Sequence, residues 1–237
     1  MPYSFDSRIR YSEVDKDRKI TLNAILDYFQ DCSCFHSEDL GVGMTYLQEN
    51  HVAWVLNSWK IEVMKYAFHG EKIRVSTWPY DFRGFLGYRN FIMESESGEL
   101  LARANTVWTL LDSETMRPTR LLPVITEAYQ MSEKIEMEEP PRKMKLPEGM
   151  EEREPFRVQK HHIDTNHHVN NGKYVGMAQE YLPEQFEVGA MRAEYKKAAV
   201  YGDMICPFVK IEEHKVTVNL ADLEGTPYAI VELEEKE

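Results

Sequence analysis

The chain has 237 residues, 43% hydrophobic and 29% charged, the proportions of a folded globular protein rather than of a disordered or fibrous one. Its 28 basic and 40 acidic residues leave a net charge of −12, which repels a phosphate backbone and argues against a nucleic-acid partner. No apolar run approaches the roughly 20 residues of a membrane span, and the opening MPYSFDSRIRYSEVDKDRKI carries no apolar signal core, so no membrane partner and no secretion are expected. Cys32, Cys34 and Cys206 are odd in number and lack metal-ligand spacing. A reducing interior suits them, and a cytoplasmic location is expected.

In chain order, the first strong periodicity lies at Leu22, Ile25, Leu26, Phe29 and Cys32, an apolar stripe at helical spacing. The segments VAWVLNSWKIEV, EKIRVSTWPYDF, GYRNFIMESE and ELLARANTVWTLLD follow. They are rich in β-branched and aromatic residues and broken by turn signals, which predicts antiparallel strands. From Thr126 to Pro155 the pattern fails. Pro140, Pro141, Pro147 and Pro155 stand among acidic runs there, and proline removes backbone donors and disfavours helix before it. This stretch is expected to be an acidic, proline-rich linker between a domain at 1–125 and a second at 156–237.

The two flanking parts read as copies of one unit. With a shift of 149, Asp15 meets Asp164, Ile20 meets Val169 and Asp31 meets Glu180. With a shift of 132, Glu62 meets Glu194 and Gly70 meets Gly202. Two matches in the same order indicate an internal duplication, the extra residues of the first copy lying around LGVGMTYLQENH. The second copy continues with PFVKIEEHKVTVNLAD and YAIVELEE as strands. One long helix wrapped by a curved antiparallel sheet, twice over, predicts an α+β chain of tandem hot-dog type.

The densest polar cluster is HHIDTNHHVNNGKY at 161–174, just before the second copy's helix. Asp and Asn are natural caps there, and the free amides of a first helical turn favour an anion. A His beside a carboxylate takes a proton from water near neutral pH, and an amide such as Asn166 polarises a carbonyl. Asp164, Asn166 and His168 stand at i, i+2 and i+4. An extended loop presents them to one side, whereas a helical turn brings Asp164 to His168. Acyl transfer to water is the chemistry suggested, with surface caps as the plain alternative. The chain has no G-x-S-x-G, and its histidine pairs lack the spacing of hydrolytic zinc sites; neither metal nor cofactor is expected. Asp17 and Lys19 stand in the first copy where Asn166 and His168 stand in the second, so the first copy keeps the scaffold and lacks the base.

DTNHHVNNGKYVG, together with RIRYSEVDKDRKITL, WVLNSWKIEV, GEKIRVSTWP and LARANTVWTLLD, resembles the acyl-acyl-carrier-protein thioesterases of plant FatA/FatB type and their bacterial relatives. The resemblance implies two hot-dog domains in one chain. It also implies hydrolysis, by activated water, of the thioester between a fatty acyl chain and the phosphopantetheine of acyl carrier protein, within fatty acid biosynthesis. Asp164, Asn166 and His168 fall on the family's catalytic residues. The family commonly has an acid and then Cys after E-Y-R-R, whereas this chain reads EYKKAA, with Ala198 and Ala199 at those positions. Glu180 and Glu194 are then the nearby acid candidates. Asn170 is expected to touch substrate, and Leu26, Phe29 and Trp54 to line an acyl-tail pocket in the first copy. Carrier docking is expected on Arg142, Lys143 and Lys145 or on Arg192, Lys196 and Lys197. The alternatives are an acyl-CoA thioesterase of the same fold and a non-hydrolytic acyl-binding module, as a monomer or homodimer.

Overall fold

The computed structural model describes residues 2–138 and 143–236. Arg142, Pro140 and Pro141 lie outside the described residues. The chain forms two compact units: residues up to Asn57 with Ile61–Met137, and Ser58–Lys60 with the chain from Glu138 onward.

In the first unit, β1 (Tyr3–Arg8) precedes a single helical turn at Tyr11–Glu13 and the helix α1 (Leu22–Asp39). A short helix α2 (Met44–Glu49) follows, then β2 (Val52–Val63), β3 (Lys72–Arg83), β4 (Leu86–Ser95), β5 (Leu100–Asp112) and the short α3 (Pro123–Ala128). The strands are ordered β1-β3-β4-β5-β2, and α1 packs on β3. The stripe expected from the sequence is its buried face: Leu22, Ile25, Leu26, Phe29 and Cys32 are each at most 3% exposed. Phe29 meets Phe91 of β4 with ring centroids 5.3 Å apart.

Both ends of α1 are set by local chemistry. The Thr21 hydroxyl accepts from the Ala24 N–H at its start. At its end Gly41 takes a φ of 72°, and the N–H groups of Gly41 and Val42 return to the carbonyls of Glu38 and Ser37. That is a Schellman cap, which needs the left-handed conformation glycine adopts without strain.

The second unit contains β6 (Glu151–Glu152), β7 (Phe156–Arg157), α4 (Asn171–Gln179), β8 (Val188–Tyr195), β9 (Met204–Ile211), β10 (Lys215–Ala221) and β11 (Pro227–Glu235). Its strands are ordered β8-β11-β10-β9-β6, with β7 also on β9, and α4 packs on β10 and β11. At nine residues α4 is half the length of the 18-residue α1. Pro183 explains the early stop, because the residue before a proline is driven out of the helical region. The long helix expected in the second copy is therefore a short one.

The duplication is visible bond by bond. Ile20 N–H donates to Ala67 C=O at 2.8 Å, and Val169 N–H to Ala199 C=O at 2.9 Å. Gly70 N–H reaches Ile9 C=O as Gly202 N–H reaches Val158 C=O, the glycines having φ of 87° and 91°. Ser7 pairs with Ile73, and Phe156 with Ile205. Each pair obeys both sequence shifts.

The stretch expected as a linker is largely laid down on the two units. Tyr129 and Met137 are buried, the Trp78 indole N–H donates to Glu133 C=O, and Ile135 N–H donates to the Asn90 side chain. Further on, Met144 N–H donates to Glu194, and β6 pairs with β9. The first unit thus extends to residue 137 rather than 125. The prolines withhold donors only at their own positions, and the amides of Ser132, Ile135, Met144 and Arg153 find acceptors on the unit beneath.

Candidate active site

The motif loop begins with a helical turn at Lys160–His162, passes through an Ile163–Val169 bridge and ends at the α4 N-cap, Asn170. Asp164 N–H donates to His168 C=O and His167 N–H to Asp164 C=O, closing a tight turn. Asp164 Oδ1 accepts from Asn166 N–H at 2.8 Å. His167 sits in the left-handed region at φ 62°. The loop is therefore neither the extended segment nor the helical turn that spacing alone allowed.

The first copy holds the same turn. Asp15 Oδ1 accepts from the N–H groups of Asp17 and Lys19, and Arg18 takes φ 63°. Because Asp15 braces a loop that has no base, the backbone bond made by Asp164 is first of all scaffold. What differs between the copies is the pair Asn166 and His168. Asn166 is exposed and His168 half-buried, so both are accessible to a substrate.

Asn170 caps α4, its side chain accepting from Gly172 N–H at 2.8 Å. Two tyrosines that sequence reasoning passed over, Tyr174 buried and Tyr195 half-buried, hold the loop against the sheet. Tyr174 Oη accepts from Ala199 N–H at 2.9 Å, and Tyr195 donates to Asn171 C=O at 3.0 Å. Burial pushes the Tyr174 phenol up to about 12, keeping it neutral. Its position inside the GKY of the motif was the available signal. Tyr174 thereby ties the motif helix to the Ala198–Ala199 segment, where Ala198 is exposed and Ala199 wholly buried.

Neither acid candidate is brought to the loop. Glu180 is the C-cap of α4, a helix length of roughly 13 Å from the N-terminus. Glu194 is 4% exposed, and its carboxylate is already engaged by Met144 N–H, Arg192 and Lys196. That network also corrects a docking expectation. Arg192 and Lys196 are paired with Glu194, and Lys197 with Asp222 at 3.0 Å, so this trio offers little free charge. Lys143 and Lys145 remain exposed.

Among the described residues no three His, Cys, Asp or Glu side chains gather as a metal site. The rings of His161 and His162 touch at 4.2 Å, and His162 Nδ1 accepts from Gln159 N–H. Burial pushes the His162 imidazole below its usual range, with His161 and Lys173 adding to the effect. The Cys32 thiol is pushed up to about 12 by burial, far from a nucleophile's range.

The three expected tail contacts separate. Leu26 and Phe29 lie in the α1 core. Trp54 is half-buried in a second apolar cluster of Val42, Val52, Leu110, Ile125 and Tyr129. Its ring lies over Gly87, where an added Cβ would stand 3.1 Å from the indole. Any larger residue at 87 would displace the Trp54 ring.

Two helix-on-curved-sheet units in one chain, the second carrying a polar motif loop at its helix N-terminus, define a tandem hot-dog protein. The model of the acyl-ACP thioesterase N-terminal domain matches residues 2–129, and that of the C-terminal domain matches residues 146–226. The chain belongs to the acyl-ACP thioesterase family. It is 26% identical over 209 residues to acyl-[acyl-carrier-protein] hydrolase FATB1, chloroplastic, of Cuphea viscosissima, covering 80% of this chain and 49% of that protein. It is 23% identical to oleoyl-acyl carrier protein thioesterase 1, chloroplastic, of Arabidopsis thaliana, covering 83% and 60%. The chain thus spans only about half to three-fifths of these relatives. Among solved structures, an acyl-ACP thioesterase from Bacteroides thetaiotaomicron superimposes with a TM-score of 0.89 at 21% identity, covering 98% of this chain and 97% of the other. The 12:0-ACP thioesterase from Umbellularia californica gives 0.88 at 20% identity, covering 99% and 97%. At such identities the agreement speaks for the fold.

Proposed function

We propose that the chain hydrolyses the thioester of a fatty acyl chain carried on the phosphopantetheine of acyl carrier protein. The observation that carries this reading is the contrast between two loops of one geometry, of which only the second bears Asn166 and His168. In the proposed reaction His168 removes a proton from water, and the resulting hydroxide attacks the thioester carbonyl. Asn166 donates to the developing oxyanion. The tetrahedral intermediate collapses with cleavage of the carbon–sulfur bond, and the imidazolium returns its proton to the leaving thiolate. Asp164 keeps the turn closed so that both side chains stay in place. The Gly172 amide does not serve the oxyanion, because Asn170 already occupies it.

The first unit, which lacks the base, holds the acyl tail in this reading. Each buried methylene adds ~0.8 kcal/mol, about a fourfold step in affinity. Ala198 supports a second reading, an acyl-binding module with little turnover, since the acid common in the family is absent there.

The test is thiol release from acyl-carrier-protein and acyl-CoA thioesters of graded length, by the wild type, His168→Ala and Glu194→Gln. Release favouring the carrier, lost at least a hundredfold in His168→Ala and retained in Glu194→Gln, is expected. Release that survives His168→Ala would sink the assignment of the base. Tight acyl binding with no release in the wild type selects the binding module.

A further inference from the structure

The first unit carries an open cleft of about 450 Å³ lined by Ser7, Arg8, Ile9, Arg10, His69 and Gly70. Its walls are pinned to each other. Ile9 N–H donates to Glu71 C=O, and Gly70 N–H donates to Ile9 C=O, both at 2.9 Å. Two arginines and a histidine line it, and no carboxylate does.

The charges there are only partly consumed locally. Arg8 is exposed and enters no ion pair among the described residues. Its cross-strand partner is Lys72, and like charges directly opposite each other cost stability unless something offsets them. Lys72 is itself held by Glu96, and Arg8 has no ion-pair partner among the described residues. Arg10 meets Glu13 at 3.4 Å but keeps its side chain 69% exposed. Glu13 Oε2 accepts from Arg10 N–H and the Tyr28 hydroxyl, while its Oε1 faces the Arg10 guanidinium, and Asp31 also feels that charge.

The duplication supplies a control. At the corresponding places the second unit has Arg157, Gln159, Tyr201 and Gly202, one cation where the first unit has two arginines and a histidine. Shared backbone geometry accounts for the glycine but not for the extra charge. In a chain of net charge −12, two arginines and a histidine on one cleft, only Arg10 of them facing carboxylates, mark a place for an anion. Guanidinium groups suit phosphate in particular, because their planar donors match its oxygens.

We propose that this cleft binds a phosphate group, and that the phosphate is the one carried on a pantetheine arm. The choice of arm rests on the hydrolase reading above; the anion site itself rests on the cleft. The volume is in the range of small-molecule sites, large enough for more than a bare ion.

Titration calorimetry with 4′-phosphopantetheine, pantetheine and inorganic phosphate tests this on the full chain. The variants are Arg8→Ala/Arg10→Ala and, to keep charge and fold, Arg8→Lys. Saturable binding of 4′-phosphopantetheine is expected, at least tenfold weaker in the double variant and weakened only a few-fold in Arg8→Lys, which keeps the charge but loses the planar donors. Pantetheine, lacking the phosphate, should bind at least tenfold more weakly than 4′-phosphopantetheine. Inorganic phosphate binding as tightly as 4′-phosphopantetheine would overturn the assignment to the arm. An affinity within twofold of wild type in the correctly folded double variant would overturn the cleft altogether. Wild-type thiol release from acyl carrier protein thioesters tests the hydrolase reading separately. Its absence would remove that reading while leaving the binding result intact.

Discussion

Arg89 on β4 is a guanidinium 8% exposed that enters no ion pair among the described residues. Its neighbours are neutral: His36 Nδ1 at 3.1 Å, Thr77 Oγ1 at 3.3 Å and the face of Tyr129 at 5.0 Å. Burial and the adjacent Arg89 charge push the His36 imidazole down to about 4, so that it accepts from the guanidinium as a neutral ring. A histidine whose pKa is lower folded than unfolded stabilises the fold above its unfolded value near 6.5 and ceases to do so as pH falls towards 4. The thermal midpoint should therefore fall over that window, and His36→Gln should make the fall shallower. NMR titration of His36 in Arg89→Met should show its pKa moving up; no movement would mean that Arg89 is not acting on it. None of this was legible locally. His36 lies on the stripe-bearing helix, and its neighbours Tyr3, Arg89 and Tyr129 come from β1, β4 and the segment after α3.

Between residues and the whole lie the two helix starts, which share a device and differ in helix length. Thr21 caps the 18-residue α1 and Asn170 the nine-residue α4. Thr21→Ala and Asn170→Ala should each cost about 1 kcal/mol in urea unfolding. Because Asn170 was also expected to touch substrate, the Asn170 variant separates two roles. Lost stability with an unchanged KM identifies a cap, and the reverse identifies a substrate contact. The strands from Val52 to Asp112 were legible because β-branched and aromatic runs alternate with turn residues. β1 went unread because its exposed positions alternate with half-buried ones and no apolar face announces it. Glu151–Glu152 is a strand only because β9 offers it an edge, and nothing in two glutamates says so.

For the whole molecule, charge is the property that acts at long range. Net charge falls as three negatives in residues 1–125, four in 126–155 and five in 156–237, so every part repels every other. Raising salt from about 10 mM to 150 mM shortens the screening length from roughly 30 to 8 Å. The thermal midpoint should rise over that range, and a fall would mean that the ion pairs outweigh the repulsion. The sequence by itself determined the duplication, the buried stripe of α1, the motif loop and the absence of a base in the first copy. Each depends on residue types at fixed spacing along one strand, loop or helix. Only the tertiary structure decided that Glu194 is bound by Met144, Arg192 and Lys196, that Arg89 lies buried among neutral partners, and that the proline-rich segment is laid on the units it joins. The Met144–Glu194 and His36–Arg89 contacts join groups 50 and 53 residues apart, where burial, not local spacing, decides whether a charge is free, paired or spent.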